Sequence, residues 1–193
     1  MLAGVFFVML GFYRHGTPAM AWWLFAAGWV YGLAAATDAI DGHLARKWQV
    51  TSVFGRIVDP FCDKILVLGS FIFFASRYFL LVEDGSVRSL SGVGPAVVVI
   101  LLGRELLVTT LRSMAESSGQ SMGAKWAGKF KMIFQSIAIP VVIVYVFLLN
   151  FLEYGSGFEI FMRVLRDVAI WGTVIVTIWS AWDYLPKRHV VDN

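Results

Sequence analysis

The stretch TDAIDGHLARKWQVTSVFGRIVDPFCDK, residues 37–64, puts four aspartates between two long apolar runs. Asp38 and Asp41 lie three apart, and Asp59 and Asp63 lie four apart. At those spacings two side chains share one face of a helix. The run from about Ala21 to Ala36 leads into the first pair, and the run from about Pro60 to Val82 starts within the second. The segment between the pairs is short, so the two helices are expected as antiparallel neighbours whose carboxylate pairs converge. Thr51 or Ser52 is placed to cap the second helix.

The remainder of the chain sets the class. Of 193 residues, 59% are hydrophobic and 15% charged, and the mean hydropathy is +0.73. A soluble domain carries about 25% charge. The expectation is an all-α membrane protein, a bundle of six transmembrane helices forming a single integral membrane domain over residues 1–193. The spans are Met1 to Phe12, Ala21 to Ala36 continuing through the aspartates, Pro60 to Val82, Pro95 to Leu111, Gly128 to Leu149, and Phe161 to Tyr184. The first is too short to cross alone, and a charged amine within the bilayer is costly. The first helix is therefore expected to be truncated, with the natural chain beginning earlier. No cleaved signal peptide is expected, and no internal repeat stands out.

A net charge of +3 and a pI near 9.1 invite a nucleic-acid reading. It is rejected, because the basic residues sit between apolar spans rather than in one stripe. They read as positive-inside anchors. Arg46, Lys47 and Arg56, then Arg112, Lys125, Lys129 and Lys131, then Lys187 and Arg188 fall on one side. Arg14, Arg88 and Arg163 fall on the other, with Glu83, Asp84, Glu153 and Glu159. The richer side is assigned to the cytoplasm, which puts the aspartate window at the cytoplasmic face of the membrane.

Four carboxylates at a membrane edge repel one another and would take up protons. Hard divalent cations, which prefer oxygen ligands, relieve that repulsion, and two would balance the four charges. Two-metal sites suit displacement at phosphorus, since they hold both the attacking and the leaving oxygen. Small residues are in register: Gly42 follows Asp41, Ala45 lies four after it, and Gly55 lies four before Asp59. Gly and Ala allow close approach of backbone or ligand, and Arg46 can bridge phosphate oxygens. Two other readings remain: solvated acidic helix ends, and a divalent-cation transporter, which would place the carboxylates near mid-membrane on broken helices.

Asp38, Asp41-Gly42, Ala45-Arg46, Gly55, Asp59 and Asp63 match D-x2-D-G-x2-A-R-x8-G-x3-D-x3-D without a gap. This resembles the signature of the CDP-alcohol phosphotransferases. The resemblance implies a six-helix membrane fold, usually homodimeric, and a CDP-linked lipid donor. It implies two Mg2+ or Mn2+ ions held by Asp38, Asp41, Asp59 and Asp63, with Asp63 also the general base toward the acceptor hydroxyl. Gly42, Ala45, Arg46 and Gly55 are implied as the cradle of the cytidine diphosphate.

GRELLVTTLR, residues 103–112, and GKFKMIFQ, residues 128–135, resemble segments of one branch, the phosphatidylglycerophosphate synthases. That implies CDP-diacylglycerol as donor and glycerol 3-phosphate as acceptor. Physically, Arg104 and Glu105 interrupt an apolar span, and a charge at such depth is a functional-site hypothesis. Arg104 lies about 12 Å along the helix from Arg112, at 1.5 Å rise per residue. An acceptor that carries its own phosphate needs cations, and Arg104, Arg112, Lys129 and Lys131 are the candidates. Alternatively, Lys129 and Lys131 are plain anchors; being two apart, they cannot both face inward on one regular helix. Arg104 has the alternative of a structural pair with Glu105 or Asp41. The acceptor also has alternatives: inositol phosphate, serine or phosphatidylglycerol.

Several residues are set aside. Cys62, the single cysteine, cannot form an intramolecular disulfide and is a poor ligand for hard cations. His15, His43 and His189 are read as bland. The eight tryptophans are interface anchors, Pro140 marks a kink, and Asp183 is placed at the interface. The expectation is an enzyme of the inner cell membrane whose polar cavity opens to the cytoplasm, with a side gap for acyl chains.

Overall fold

Three hydrogen-bonding devices set where the helices begin. Thr17 accepts from the backbone N–H of Met20 through Oγ1 at 3.4 Å, and Pro18 follows it at the first helical position. Gly94 precedes Pro95 in the same way, with the Val97 N–H donating to its carbonyl at 3.1 Å. Ser156 accepts from the Glu159 N–H at 3.3 Å, while Glu159 accepts from the Gly155 N–H at 3.2 Å, a reciprocal cap of the Ser-x-x-Glu kind.

The computed structural model describes residues 2–48, 53–83, 85–118, 126–182 and 184; the side chains of 38, 39, 41–48, 53–63, 83 and 116 lie outside that description. The elements are α1 (Leu2–Phe12), α2 (Pro18–Trp48), α3 (Val53–Phe74), a 3-10 turn (Arg77–Phe79), β1 (Leu80–Glu83), β2 (Ser86–Ser89), α4 (Pro95–Ser117), α5 (Trp126–Leu148) and α6 (Gly157–Trp182).

The third span needs correction. Its helix starts earlier than expected, at Val53, and stops at Phe74. Ser76 Oγ donates to the Phe73 carbonyl at 2.5 Å and Ser91 Oγ to the Phe74 carbonyl at 2.6 Å, so side chains satisfy carbonyls that another helical turn would have used. The apolar residues that follow form an antiparallel hairpin instead, with Leu80 opposite Ser89 and Glu83 opposite Ser86. Gly85 takes φ +76° at its tip, a left-handed conformation that glycine adopts without steric cost. The all-α expectation thus holds for the long elements, and a two-stranded hairpin is added to it.

α5 forms the middle of the molecule. Its Ala138, Ile139, Val142, Ile143, Tyr145 and Val146 are buried. It packs most extensively on α6 and also on α2 and α3; α4 closes the group against α3 and α6. α1 packs on α2 and α3, and there Gly69 is required by contact: a Cβ at that position would stand 2.5 Å from Phe7 Cζ.

Large apolar side chains cover the exterior, and several charged or polar ones are buried beside the apolar core. Trp29, Leu33, Val99, Leu106, Ile137, Val168, Trp171 and Ile175 are exposed, while Arg104, Lys131, Gln135, Glu159, Arg166 and Thr173 are buried. α2 over Pro18–Thr37 and α5 over Trp126–Leu148 are long and apolar enough to cross a membrane; Leu2–Phe12 and Lys64–Phe74 are shorter apolar helices. Apolar side chains this large and this many on the outside, around an interior that also holds charged groups, mark a membrane-associated chain.

Candidate active site

Positions 38 and 41 fall in α2 and positions 59 and 63 in α3, two helices that pack on each other. The side chains of Asp38, Asp41, Gly42, Ala45, Arg46, Gly55, Asp59 and Asp63 lie outside the described residues, as do Thr51, Ser52, His43, Cys62, Lys125, Asp183 and the tail. As chemistry the donor set fits a hard divalent cation: four carboxylates, at helical spacings, on two helices in contact. Gly42, Ala45 and Gly55 are the small residues of the same stretch.

Immediately after position 63, α3 delivers Lys64 into a polar cluster among apolar helices. Its centre is the Glu105 carboxylate of α4. Lys64 Nζ lies 3.3 Å from Oε1, Arg104 Nη1 lies 3.3 Å from Oε2, and Lys131 Nζ of α5 donates to Oε2. Lys64 Nζ also donates to Thr109 Oγ1 at 3.0 Å. Arg104 Nε donates to Ser180 Oγ of α6 at 3.0 Å, and Ser180 Oγ donates to the Thr177 carbonyl at 2.8 Å. Three helices thus meet at one carboxylate, and Arg104 ties in a fourth through Ser180.

Burial makes this arrangement consequential. The side chains of Arg104 and Lys131 are each 7% exposed and that of Glu105 is 12% exposed, while that of Lys64 is 37% exposed. Charges this far out of water are retained when they are paired. Three cations around one carboxylate still leave an excess of +2. Nearby, Arg112 Nη2 donates to the Tyr184 hydroxyl at 3.3 Å, and the Arg104 and Arg112 guanidinium carbons lie 5.8 and 5.9 Å from that ring's centroid. Buried donors remain: among the described residues Arg112 Nε, Gln135 Nε2 and Thr177 Oγ1 have no partner. Unpaired buried polar atoms call for a ligand or water. Gln135 lies one turn along α5 from Lys131, and Thr177 lies three residues before Ser180 on α6.

Of the four cations expected for the acceptor, the structure brings Arg104 and Lys131 to one carboxylate and sets Arg112 beside Tyr184. Lys129 is not brought to that carboxylate: it is exposed, with Nζ 4.8 Å from the Trp126 ring centroid, while Lys131 is buried. Arg104 takes Glu105 as its carboxylate partner. Lys64, Thr109, Gln135, Thr177 and Ser180 were missed. The signal for Lys64 was a cation directly after Asp63 at the head of an apolar run; for Gln135 it was an amide within one.

A family model described as CDP-alcohol phosphatidyltransferase matches residues 1–179. The chain belongs to this family. Among curated relatives, a CDP-diacylglycerol–glycerol-3-phosphate 3-phosphatidyltransferase of Bacillus subtilis is 30% identical over 157 residues, 81% of this chain and 69% of its own length. One of Haemophilus influenzae with the same name is 32% identical over 168 residues, 85% of this chain and 78% of the relative. One of Escherichia coli K12 is 30% identical over 181 residues, 93% and 85% respectively. In this member of the family the aspartate motif runs from position 38 in α2 to position 63 in α3, and the charged cluster begins at the next residue along α3.

Proposed function

We propose that this chain transfers the phosphatidyl group of CDP-diacylglycerol to glycerol 3-phosphate, releasing CMP and giving phosphatidylglycerophosphate. The observation that carries the acceptor is the convergence of Lys64, Arg104 and Lys131 on the single Glu105 carboxylate. An uncharged alcohol has no use for an excess of +2 held in a low-dielectric interior, whereas a phosphate dianion is attracted to it. The names of the relatives point the same way.

The cluster also orients the acceptor. With the acceptor phosphate held by Lys64, Arg104 and Lys131, its free hydroxyl is offered to Asp63, the residue that precedes Lys64 on α3. The Asp63 carboxylate accepts the hydroxyl proton. The acceptor oxygen forms a bond to the phosphorus that bears the diacylglycerol, and the bond from that phosphorus to the bridging oxygen breaks, with CMP leaving. Asp38, Asp41, Asp59 and Asp63 would hold two Mg2+ or Mn2+ ions, which when bound polarise the phosphoryl oxygens and offset the charge on the leaving group. Gly42, Ala45 and Gly55 admit the cytidine diphosphate to the helix surface, and Arg46 holds its phosphate oxygens. Burial of Arg104, Glu105 and Lys131 strengthens their contacts with the acceptor phosphate.

We take the helices to form a bundle in the inner cell membrane, with the aspartates and the cluster opening to the cytoplasm and the protein acting as a homodimer. The test is a substrate panel. The purified protein is given labelled CDP-diacylglycerol with glycerol 3-phosphate, inositol phosphate, serine or phosphatidylglycerol in turn. The expected result is CMP release and labelled phosphatidylglycerophosphate with glycerol 3-phosphate alone. Preferential transfer to serine or phosphatidylglycerol would refute the acceptor assignment.

A further inference from the structure

At the other end of α2 from the aspartates, a second charged feature has no part in this chemistry. Pro18 and position 38 are separated by about 30 Å of helix, at 1.5 Å rise per residue. Beside the Pro18 end lies a cavity of about 440 Å3 lined by Arg14, His15, Arg77, Tyr78, Leu80 and Leu81. Two chain reversals form it: the α1–α2 connection supplies Arg14 and His15, and the 3-10 turn leading into β1 supplies Arg77 and Tyr78.

Arg14 and Arg77 share one aromatic ring. Their guanidinium carbons lie 4.8 and 5.5 Å from the Tyr78 ring centroid. Arg14 is also held by its own backbone, with Nη1 donating to the carbonyls of Tyr13 at 2.8 Å and Gly11 at 3.3 Å at the end of α1. Its position is therefore set before any ligand arrives. Among the described residues, neither guanidinium has a carboxylate within 4.0 Å, although Arg104, Arg163 and Arg166 all do. Two cations on one ring, without a carboxylate partner among the described residues, leave positive charge for an anion to offset. Arginine suits phosphate oxygens, which it meets with paired N–H groups.

The surroundings indicate a lipid as the source of that phosphate. Trp22 and Trp23 are exposed at the same end of α2, where tryptophans mark the boundary between headgroups and acyl chains. An apolar groove of about 560 Å3 runs along α1 past Val5, Val8 and Met9 and ends at Phe12 and Trp23, two residues of chain before Arg14. A cation pair and an apolar groove whose lining ends two residues from Arg14 in the chain match the two parts of a phospholipid. We infer that the Arg14–Arg77–Tyr78 cavity binds the phosphate headgroup of an anionic phospholipid in the leaflet opposite the active site, with an acyl chain along the α1 groove.

The full-length protein in neutral detergent is titrated with phosphatidylglycerol or with phosphatidylcholine of matched acyl chains and read by native mass spectrometry. Arg14→Gln/Arg77→Gln is expected to weaken phosphatidylglycerol binding by roughly tenfold or more, with phosphatidylcholine binding unchanged. Arg14→Lys/Arg77→Lys keeps the charge and should keep most of the binding, which separates loss of the site from loss of the fold. An excess of inorganic phosphate should displace little lipid from the wild type. Transferase turnover in detergent should be unaffected by either double variant, so failure here is distinct from failure of the proposed reaction. Equal phosphatidylglycerol binding by the Gln/Gln variant, equal binding of phosphatidylcholine by the wild type, or full displacement by inorganic phosphate would each overturn the assignment.

Discussion

Replacing Glu105 by Gln keeps the shape of the side chain and removes the one negative charge that three cations share. Arg104 and Lys131, each with 7% of the side chain exposed, then have no carboxylate, while Lys64, at 37% exposed, reaches water and keeps Thr109. The Lys64 pair contributes little for that reason, about 0–1 kcal/mol. The buried partners dominate, and stranding them costs about 3–5 kcal/mol. In a chain of this size that lowers Tm by roughly 6–20 °C, at about 2–4 °C per kcal/mol. Lys131→Met alone is milder, because Glu105 retains Arg104 and Lys64. The informative experiment is the double variant. Adding Lys131→Met to Glu105→Gln removes a stranded buried cation, so a substitution that destabilises the wild type should raise the Tm of the Glu105→Gln protein. The expected coupling is about 1–3 kcal/mol, read by intrinsic fluorescence during heating in detergent. Two destabilisations that simply add would refute the shared-carboxylate reasoning.

Other outcomes follow from the same geometry. Lys131→Met should raise KM for glycerol 3-phosphate about tenfold or more, whereas Lys129→Ala, which alters a side chain lying over Trp126, should leave KM unchanged in initial-rate assays of CMP release. Gly69→Leu forces a Cβ to within 2.5 Å of Phe7 Cζ and should cost about 1–3 kcal/mol, with Phe7→Ala relieving part of the loss in a thermal melt. Burial pushes the Tyr13 phenol up to about 12 from 10.0. The folded chain therefore keeps a proton that the unfolded chain releases. The resulting stabilisation is complete below about pH 10 and disappears as pH rises toward 12, and Tyr13→Phe should flatten the Tm–pH curve in that window.

The helices were legible in the sequence wherever an apolar run ended in a recognised stop. Pro95 opens α4 where expected, and α2 continues through the aspartates to Trp48. The hairpin was not read because Tyr78, Phe79, Leu80, Leu81 and Val82 resume the apolar run of α3 after only Ser76 and Arg77. The overlooked cue was Asp84-Gly85, a turn dipeptide flanked by residues able to pair. That misreading also kept Arg77 within a span and hid its nearness to Arg14. At the site, the four aspartates and their small neighbours stand at fixed short spacings that a linear text preserves. The partners of Glu105 do not: Lys131 is 26 residues away, and Thr109, which ties Lys64 in, is 45 residues from that lysine. Which lysine of GKFKMIFQ faces inward depends on the rotation of α5, and packing against α6 sets that rotation. Composition does not encode it.

The central claim is that Lys64, Arg104 and Lys131 select an acceptor by its phosphate. It is tested most directly by measuring CMP release from CDP-diacylglycerol with glycerol 3-phosphate and with glycerol, in the wild type and in Lys131→Met. The account expects a strong preference for the phosphorylated acceptor in the wild type and a loss of at least about tenfold of that preference in the variant. An unchanged ratio of the two rates in the variant would contradict it.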